Sequence, residues 1–443
     1  MPAPDVARPS FIELFATWGW IGLVSFGGPA GQIALMHRVV VDEKNWLSER
    51  QYLSALNFCM LLPGPEAMQL ATYVGWRTHG IAGGLVAGLL FVLPGAAVIL
   101  ALSAIYAAFG SVPLVQALFV GIKAAVLALV VEALIKVSRR ALKMTADWVI
   151  AAAAFAALYF FDAPFPLVIL AAATFGFFRA RATLSDDVPL SSAGGLRPVD
   201  RPTAATTLTT ISLWLGIWLT PLLIVHLALG SDHVLTELGW LFAKLAVVTF
   251  GGAYAVLAYL VQEIVQGYGW LTAGEMLDAL GLAETTPGPL ILVTQFVGFL
   301  AAFKSDGGGQ WTLAVAGAAI TLWATFAPCF LWIFAGAPYL ERVTANRKLA
   351  SALSAITAAV VGVIFSLALW FAISVLLGSQ ERVTFGPLSV ALPTVFAPDW
   401  AAIGLTVLAA ALIFGARLGV VTTLTISAVA ALGMHIVVSG RLL

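Results

Sequence analysis

Charge is the scarcest commodity in this sequence. Asp, Glu, Lys and Arg make up 10% of the 443 residues, against roughly 25% in a soluble domain. That deficit excludes an ordinary water-soluble fold. The 22 basic and 22 acidic residues cancel, so no bulk field draws in nucleic acid or an acidic partner. Cysteine is nearly missing too. Cys59 and Cys329 stand far apart in apolar runs, which excludes a disulfide framework or a cysteine metal cluster and leaves them as packing residues. No His-Glu-x-x-His, Gly-x-Ser-x-Gly or Gly-x-x-x-x-Gly-Lys-Ser/Thr pattern occurs, so neither an enzyme centre nor a self-contained nucleotide-driven pump is expected, and no metal or cofactor is implied. Residues 1–10 lack a basic flank, a short apolar core and a cleavage site. A secretory signal peptide is therefore not expected, and the first apolar run should stay as membrane helix.

What remains is apolar. Hydrophobic residues make up 61% of the chain and the mean hydropathy is +1.00. Many runs approach the ~20 residues that a helix needs to cross hydrocarbon. The expected fold is an all-α polytopic membrane protein.

One stretch occurs twice. The first copy reads Phe26-Gly27-Gly28-Pro29, then Asn45-Trp46-Leu47-Ser48, then Pro63-Gly64-Pro65. The second reads Phe250-Gly251-Gly252, Gly269-Trp270-Leu271-Thr272 and Pro287-Gly288-Pro289, each 224 residues later, as in Phe26 and Phe250 or Pro63 and Pro287. A spacing kept without a gap marks internal duplication. Later parts of the unit repeat in a second register, with Pro94 and Pro328 or Ala124 and Ala358 separated by 234 residues. An insertion in the Gly-rich stretch 304–310 accounts for the change. The division expected is a first repeat over 1–178, a polar cytoplasmic linker over 179–206, an extra helix and loop over 207–235, and a second repeat over 236–443.

The segments around the motifs are short. A helix from Phe11 to Ser25 stops at the first motif and a second runs from about Ala30 to Val41; the stretch from Tyr52 to Leu62 leads into Pro63-Gly64-Pro65, and a new segment continues to Trp76. Pieces of ~10–15 residues span about 15–22 Å at 1.5 Å per residue, less than the ~30 Å of a bilayer core. Re-entrant hairpins fit better than straight spans. Full spans follow over 81–109, where Pro94 should kink the helix, and over 112–134, where Pro113 suits a helix start. Short pairs are expected over 148–161 with 164–178, and over 401–414 with 420–438.

Loop charges set the orientation. Arg38, Lys44 and Arg50 in the first copy are replaced by Gln262, Tyr268 and Gly274 in the second. Cytoplasmic loops collect Lys and Arg, so the two copies should be inverted, with the extra span over 208–229 supplying the odd crossing.

Broken helices carry chemistry. Their unpaired backbone groups are tolerated in a membrane only where protein or a water-filled cavity meets them. A helix starting after a break presents free N–H groups and about half a positive charge, an anion site that needs no Arg or Lys. In inverted repeats such breaks place the substrate near the bilayer midplane. The candidate substrate-binding residues are Ser25, Phe26, Gly27, Gly28, Pro63, Gly64, Pro65, Lys244, Thr249, Phe250, Gly251, Gly252, Thr286, Pro287, Gly288 and Pro289, with Thr285 as a further hydroxyl. A Gly-Gly-Pro or Pro-Gly-Pro inside an apolar run is also how a helix kinks or meets a neighbour, and the duplication is what favours the site.

Ionisable residues in apolar runs are functional candidates. Lys244 is the best placed cation, though a lysine there also snorkels to an interface. Glu66 and Glu284 flank the Pro-Gly-Pro breaks and are either proton or coupling sites or partners of nearby backbone. Gln32, Gln69 and Gln295 line a cavity or bridge helices. Lys123 and Glu132 read as helix-packing or interface charges, and His37 and His79 as solvated residues beside loops.

At these motifs the sequence closely resembles the chromate ion transporter family in its long, two-domain form. Phe26-Gly27-Gly28-Pro29, Trp46-Leu47-Ser48, Leu62-Pro63-Gly64-Pro65, Gly75 and Phe91-Val92-Leu93-Pro94-Gly95 are similar to the family's first domain. Phe250-Gly251-Gly252, Trp270-Leu271, Thr286-Pro287-Gly288-Pro289 and Gly298 are similar to the second. The chain departs from the family's pattern at Glu66 and Gln32. The resemblance implies an inner-membrane exporter of chromate that confers resistance, with oppositely oriented halves. A sulfate or other oxyanion carrier and an anion channel are the alternatives. The expected partners are a small tetrahedral oxyanion (chromate, or sulfate) and the lipid bilayer, without nucleic acid; a homodimer is compatible.

Overall fold

The computed structural model describes residues 9–26, 28–182, 203–250, 253–344, 346–378, 380–386, 388–394 and 398–439. In chain order the helices are α1 (Phe11–Val24), α2 (Gly28–His37), α3 (Glu49–Leu61), α4 (Glu66–Phe109), α5 (Pro113–Ala141), α6 (Thr145–Phe161), α7 (Phe165–Ala182), α8 (Ala204–Leu229) and α9 (Val234–Val248). They continue as α10 (Ala253–Leu260), α11 (Ala273–Thr285), α12 (Val293–Lys304), α13 (Trp311–Gly336), α14 (Leu340–Thr344), α15 (Arg347–Leu376), α16 (Trp400–Ala410) and α17 (Val420–Ser439). Among the described residues, six helical segments are long and apolar enough to cross a membrane: Glu66–Phe109, Pro113–Ala141, Ala204–Leu229, Trp311–Tyr339, Arg347–Leu376 and Val420–Val438. The protein is an integral, multi-pass, helical membrane protein. The expected linker falls largely on residues 183–202, outside the described residues.

The 224-residue spacing persists in the local structure. Both α2 and α10 widen into π-helix, at Arg38–Glu43 and Val261–Gly267, where the sequence suggested a plain charged loop. The turn that follows is closed by Lys44 N to Val39 O and Trp46 N to Val40 O in one copy. Tyr268 N to Glu263 O and Trp270 N to Ile264 O close it in the other. The left-handed residue is Asn45 (φ 53°) in the first copy and Gly269 (φ 66°) in the second. Then α3 and α11 start in the same way. Ser48 and Gln51 exchange side-chain and backbone bonds, as do Thr272 and Glu275, each satisfying two amides that a helix start leaves bare.

The long α4 is two helices joined by a reversal. His79 (φ −133°) and Gly80 (φ 63°) leave helical geometry, and the arms close against each other where Gly75 faces Gly83. A Cβ on either glycine would collide with the other's carbonyl oxygen. The corresponding contact in the second copy pairs Gly298 on α12 with Gly317 on α13. There the connection is longer, through Ser305–Gly307 and the positive-φ residues Gly308 and Gly309, and this is the expected insertion.

Helical angles run on through Pro94, the non-helical ones in α4 being those of His79 and Gly80. A proline deprives the carbonyl four residues earlier of its N–H, which here means Leu90 and, for Pro328 in α13, Ala324. Leu90 O packs against Gly22 of α1, where no Cβ would fit. Ala324 O accepts from the Trp218 indole of α8 at 3.1 Å, while the Trp323 indole donates to Trp218 O at 3.1 Å. Two indoles thus fasten the extra helix to α13. Trp218→Phe removes a donor and bares a buried carbonyl, so it should cost about 1 kcal/mol, read as a lower midpoint in thermal unfolding of the detergent-solubilised protein.

One element was unexpected. A hairpin, β1 (Gln380–Phe385) and β2 (Leu388–Pro393), pairs antiparallel from Gln380 with Pro393 to Phe385 with Leu388. Gly386 turns it with φ 63°, as tight two-residue hairpins require. No expectation from the sequence covered this stretch.

The chain forms two compact units, each drawn from both copies. Unit 1 holds 1–100, 175–253 and 286–353; unit 2 holds 101–174, 254–285 and 354–443. Unit 1 is centred on α13, packed by α8, α9 and α12, with Phe242, Phe296 and Ile333 fully buried. Unit 2 is centred on α5, packed by α11, α16 and α17, where Gly121 lets α5 approach the Ser427 backbone of α17.

Candidate functional site

The breaks lie in unit 1 and are joined across the two copies. Gly64 N donates to Thr249 O at 3.0 Å, and Gly288 N donates to Ser25 O at 2.9 Å. These are one bond formed twice: the Pro-Gly-Pro glycine of each copy reaches the residue ahead of Phe-Gly-Gly in the other. Gly64 (φ 105°) and Gly288 (φ 88°) hold left-handed backbone, which L side chains resist. Both are also enclosed. A Cβ on Gly64 would sit 3.2 Å from Gln69 Nε2 and 3.4 Å from Cys329 Sγ; one on Gly288 would sit 3.2 Å from Leu292 Cδ1 and 3.5 Å from Gly95 Cα.

Because both glycine amides are engaged, neither is a free donor. The N–H groups that a break leaves without helical partners are those of the first turn after it, in α2 from Gly28 and in α4 from Glu66. Freed carbonyls at the breaks are met by two amide side chains: Gln32 Nε2 donates to Gly288 O at 2.5 Å and Gln69 Nε2 to Pro63 O at 2.6 Å. A third, Gln295 Nε2, bridges helices by donating to Ala96 O of α4 at 3.1 Å. All three glutamines are buried, which is how irregular backbone survives at membrane depth.

The hydroxyls separate into two kinds. Thr249 Oγ1 donates to Leu245 O at 2.6 Å and Thr285 Oγ1 to Leu282 O at 2.8 Å, so both protons are used within their own helices. Ser25 Oγ is fully buried and has no protein partner. Its hydroxyl is a buried donor without a protein acceptor. Thr286 is buried as well.

The remaining expected residues are variously placed. Lys244 is exposed between buried Ala243 and Leu245 on α9, so its ammonium lies off the packed face, as an interface lysine would. Phe26 is exposed and Phe250 partly so. Glu66 is half-buried at the start of α4, and Glu284 is buried in the last turn of α11. Gly27, Gly251 and Gly252 lie outside the described residues. His37 faces Glu49 and Asp42 among solvated side chains. Glu132 pairs with Lys136 at 2.6 Å along α5. Lys123, read as a packing charge, is paired with Asp278 at 3.3 Å.

A helical membrane protein whose interrupted segments are bonded across two copies, with buried hydroxyl and amide side chains among them, has the architecture of a solute transporter. The comparisons with known proteins agree. The family model for the chromate transporter matches residues 12–177 and 236–434, and the chain belongs to that family. It is 33% identical over 369 residues to the chromate transport protein of Pseudomonas aeruginosa, covering 80% of this chain and 79% of that protein. It is 28% identical to the chromate transport protein of Cupriavidus metallidurans, covering 82% of each. It is also 28% identical to a probable chromate transport protein of Synechococcus elongatus, covering 78% of this chain and 80% of that one. No solved structure matches. The protein is a transporter, not an enzyme.

Asp278 and Tyr106 escaped the sequence reading. The available signal was Lys123 itself: a cation within an apolar helix wants a counter-charge, and Asp278 is an acid in the second copy where the first has Ser54.

Proposed function

We propose that the protein is a secondary transporter that exports chromate from the cytoplasm across the plasma (inner) membrane, conferring resistance. Chromate is a tetrahedral dianion, and the site takes it near the bilayer midplane between two inverted repeats. The observation that carries this reading is the reciprocal pair of bonds, Gly64 to Thr249 and Gly288 to Ser25. It gathers the breaks into two cross-copy pairs and leaves the buried Ser25 hydroxyl and the adjoining helix starts as neutral donors. The charge difference between the 38–50 and 262–274 loops supports the inversion. A sulfate carrier is the second reading, favoured by the same donors: hydroxyls and amides do not distinguish one tetrahedral dianion from another.

Inside-out vesicles carrying the protein should accumulate labelled chromate with saturation, faster under an imposed potential and with competition by sulfate. Flux that rises linearly with concentration and carries channel currents would replace the carrier with a pore. Single cysteines at Lys44 and Tyr268 should react with an impermeant thiol reagent from opposite sides; labelling from one side removes the inversion.

A further inference from the structure

Unit 2 holds a buried charge that this reading does not use. Asp278 on α11 is 3% exposed. Its Oδ2 accepts from the Tyr106 hydroxyl at 2.8 Å and lies 3.3 Å from Lys123 Nζ. Its Oδ1 is buried and has no protein partner. A carboxylate in such surroundings is costly unless fully paired, and here one oxygen is met twice while the other is bare. Gly274 leaves room beside Lys123 of α5: a Cβ there would stand 3.2 Å from Nζ.

Lys123 and Gly274 line a cavity of about 990 Å³ whose walls also carry Asp162, Glu263, Glu381 and Asp399. Acid-lined walls concentrate protons and cations and repel a dianion. The cavity is thus ill suited to an oxyanion and well suited to protons. The groups facing Asp278 are Lys123 and Tyr106, with Glu275 one turn earlier on its own helix. Glu263 and His435 are the titratable groups of the π-helix and of α17, which pack against α11.

We infer that Asp278 is a proton-binding site, exchanging protons with water in the acid-lined cavity past Lys123, and that this exchange is coupled to anion transport. On loading, a hydronium ion gives its proton to the carboxylate, water remains, and Lys123 loses its counter-charge; unloading reverses each change. The coupling rests on the transport reading above, whereas the protonation does not.

Two measurements test the two parts. In reconstituted protein, acidification should raise an infrared carbonyl band of a protonated carboxyl, absent in Asp278→Asn and restored in Asp278→Glu. A band unchanged by Asp278→Asn overturns the site, whatever the protein carries. In vesicles with an internal pH dye, wild-type chromate flux should move protons. Asp278→Asn should lower gradient-driven flux at least tenfold while chromate-for-chromate exchange continues, and Asp278→Glu should recover it. Chromate flux without proton movement in the wild type overturns the coupling and leaves the proposed function standing. If no oxyanion is carried at all, the proposed function fails, the coupling fails with it, and the infrared band still decides the site.

Discussion

Leucine at Gly64 or at Gly288 should abolish chromate transport, a loss of at least a hundredfold, with the protein still present in the membrane. The expectation has two physical parts. Each glycine holds a positive φ, and forcing an L residue into that region costs about 1–3 kcal/mol. A side chain would also enter the enclosed space beside Gln69 and Cys329, or beside Leu292 and Gly95. Relief of either strain pulls the amide away from the carbonyl it meets in the other copy and separates the paired breaks. The rest of each helix is held by its own ladder and by packing elsewhere, so insertion should survive. Vesicle uptake with quantified protein is the measurement. Wild-type rates in both variants would remove the Pro-Gly-Pro glycines from the site. Alanine in place of leucine should give an intermediate loss, because the strained φ is shared while most of the steric part is absent.

The second large effect concerns Lys123 and Asp278. At a pH high enough to keep Asp278 ionised, Lys123→Met alone leaves a buried carboxylate without its counter-charge, which costs about 3–5 kcal/mol; at lower pH, uptake of a proton should reduce that cost. Asp278→Leu combined with Lys123→Met removes both charges and should recover most of that stability, since an apolar pair of similar volume often replaces a buried ion pair without loss. Thermal unfolding of the single and double variants in detergent checks this. A single variant as stable as the wild type at high pH would mean that the carboxylate is solvated without Lys123.

Much of the fold could be read from residues. The ends of α1, α8, α16 and α17 follow runs of apolar residues and their turn signals, and Ser48 with Gln51 three residues on is the pattern of the helix start that falls at Glu49. The motif positions were legible because duplication repeats them at one spacing. What bonds what was not. Whether the Gly288 amide meets Ser25 or an anion depends on how distant segments pack, and no local pattern contains that. The hydroxyls of Thr249 and Ser25 look alike in sequence and differ only because one turns back onto its own helix. The hairpin at Gln380–Pro393 was hidden in a stretch short enough to pass for a loop, although Val383, Thr384 and Phe385 favour strands and Gly386 favours a turn. Lys123 and Asp278 sit on helices from different copies, and their meeting is a property of unit 2 as a whole.

The exchange between Gly64 and Thr249, and between Gly288 and Ser25, carries an implication for ancestry. Each copy owns one donor and one acceptor, and each is satisfied by the other copy. A forebear of half this length would have been left with a bare amide and a bare carbonyl inside the bilayer. It could have been stable only as an obligate pair of separate polypeptides, and fusion of two genes would have made permanent a partnership that backbone chemistry already demanded.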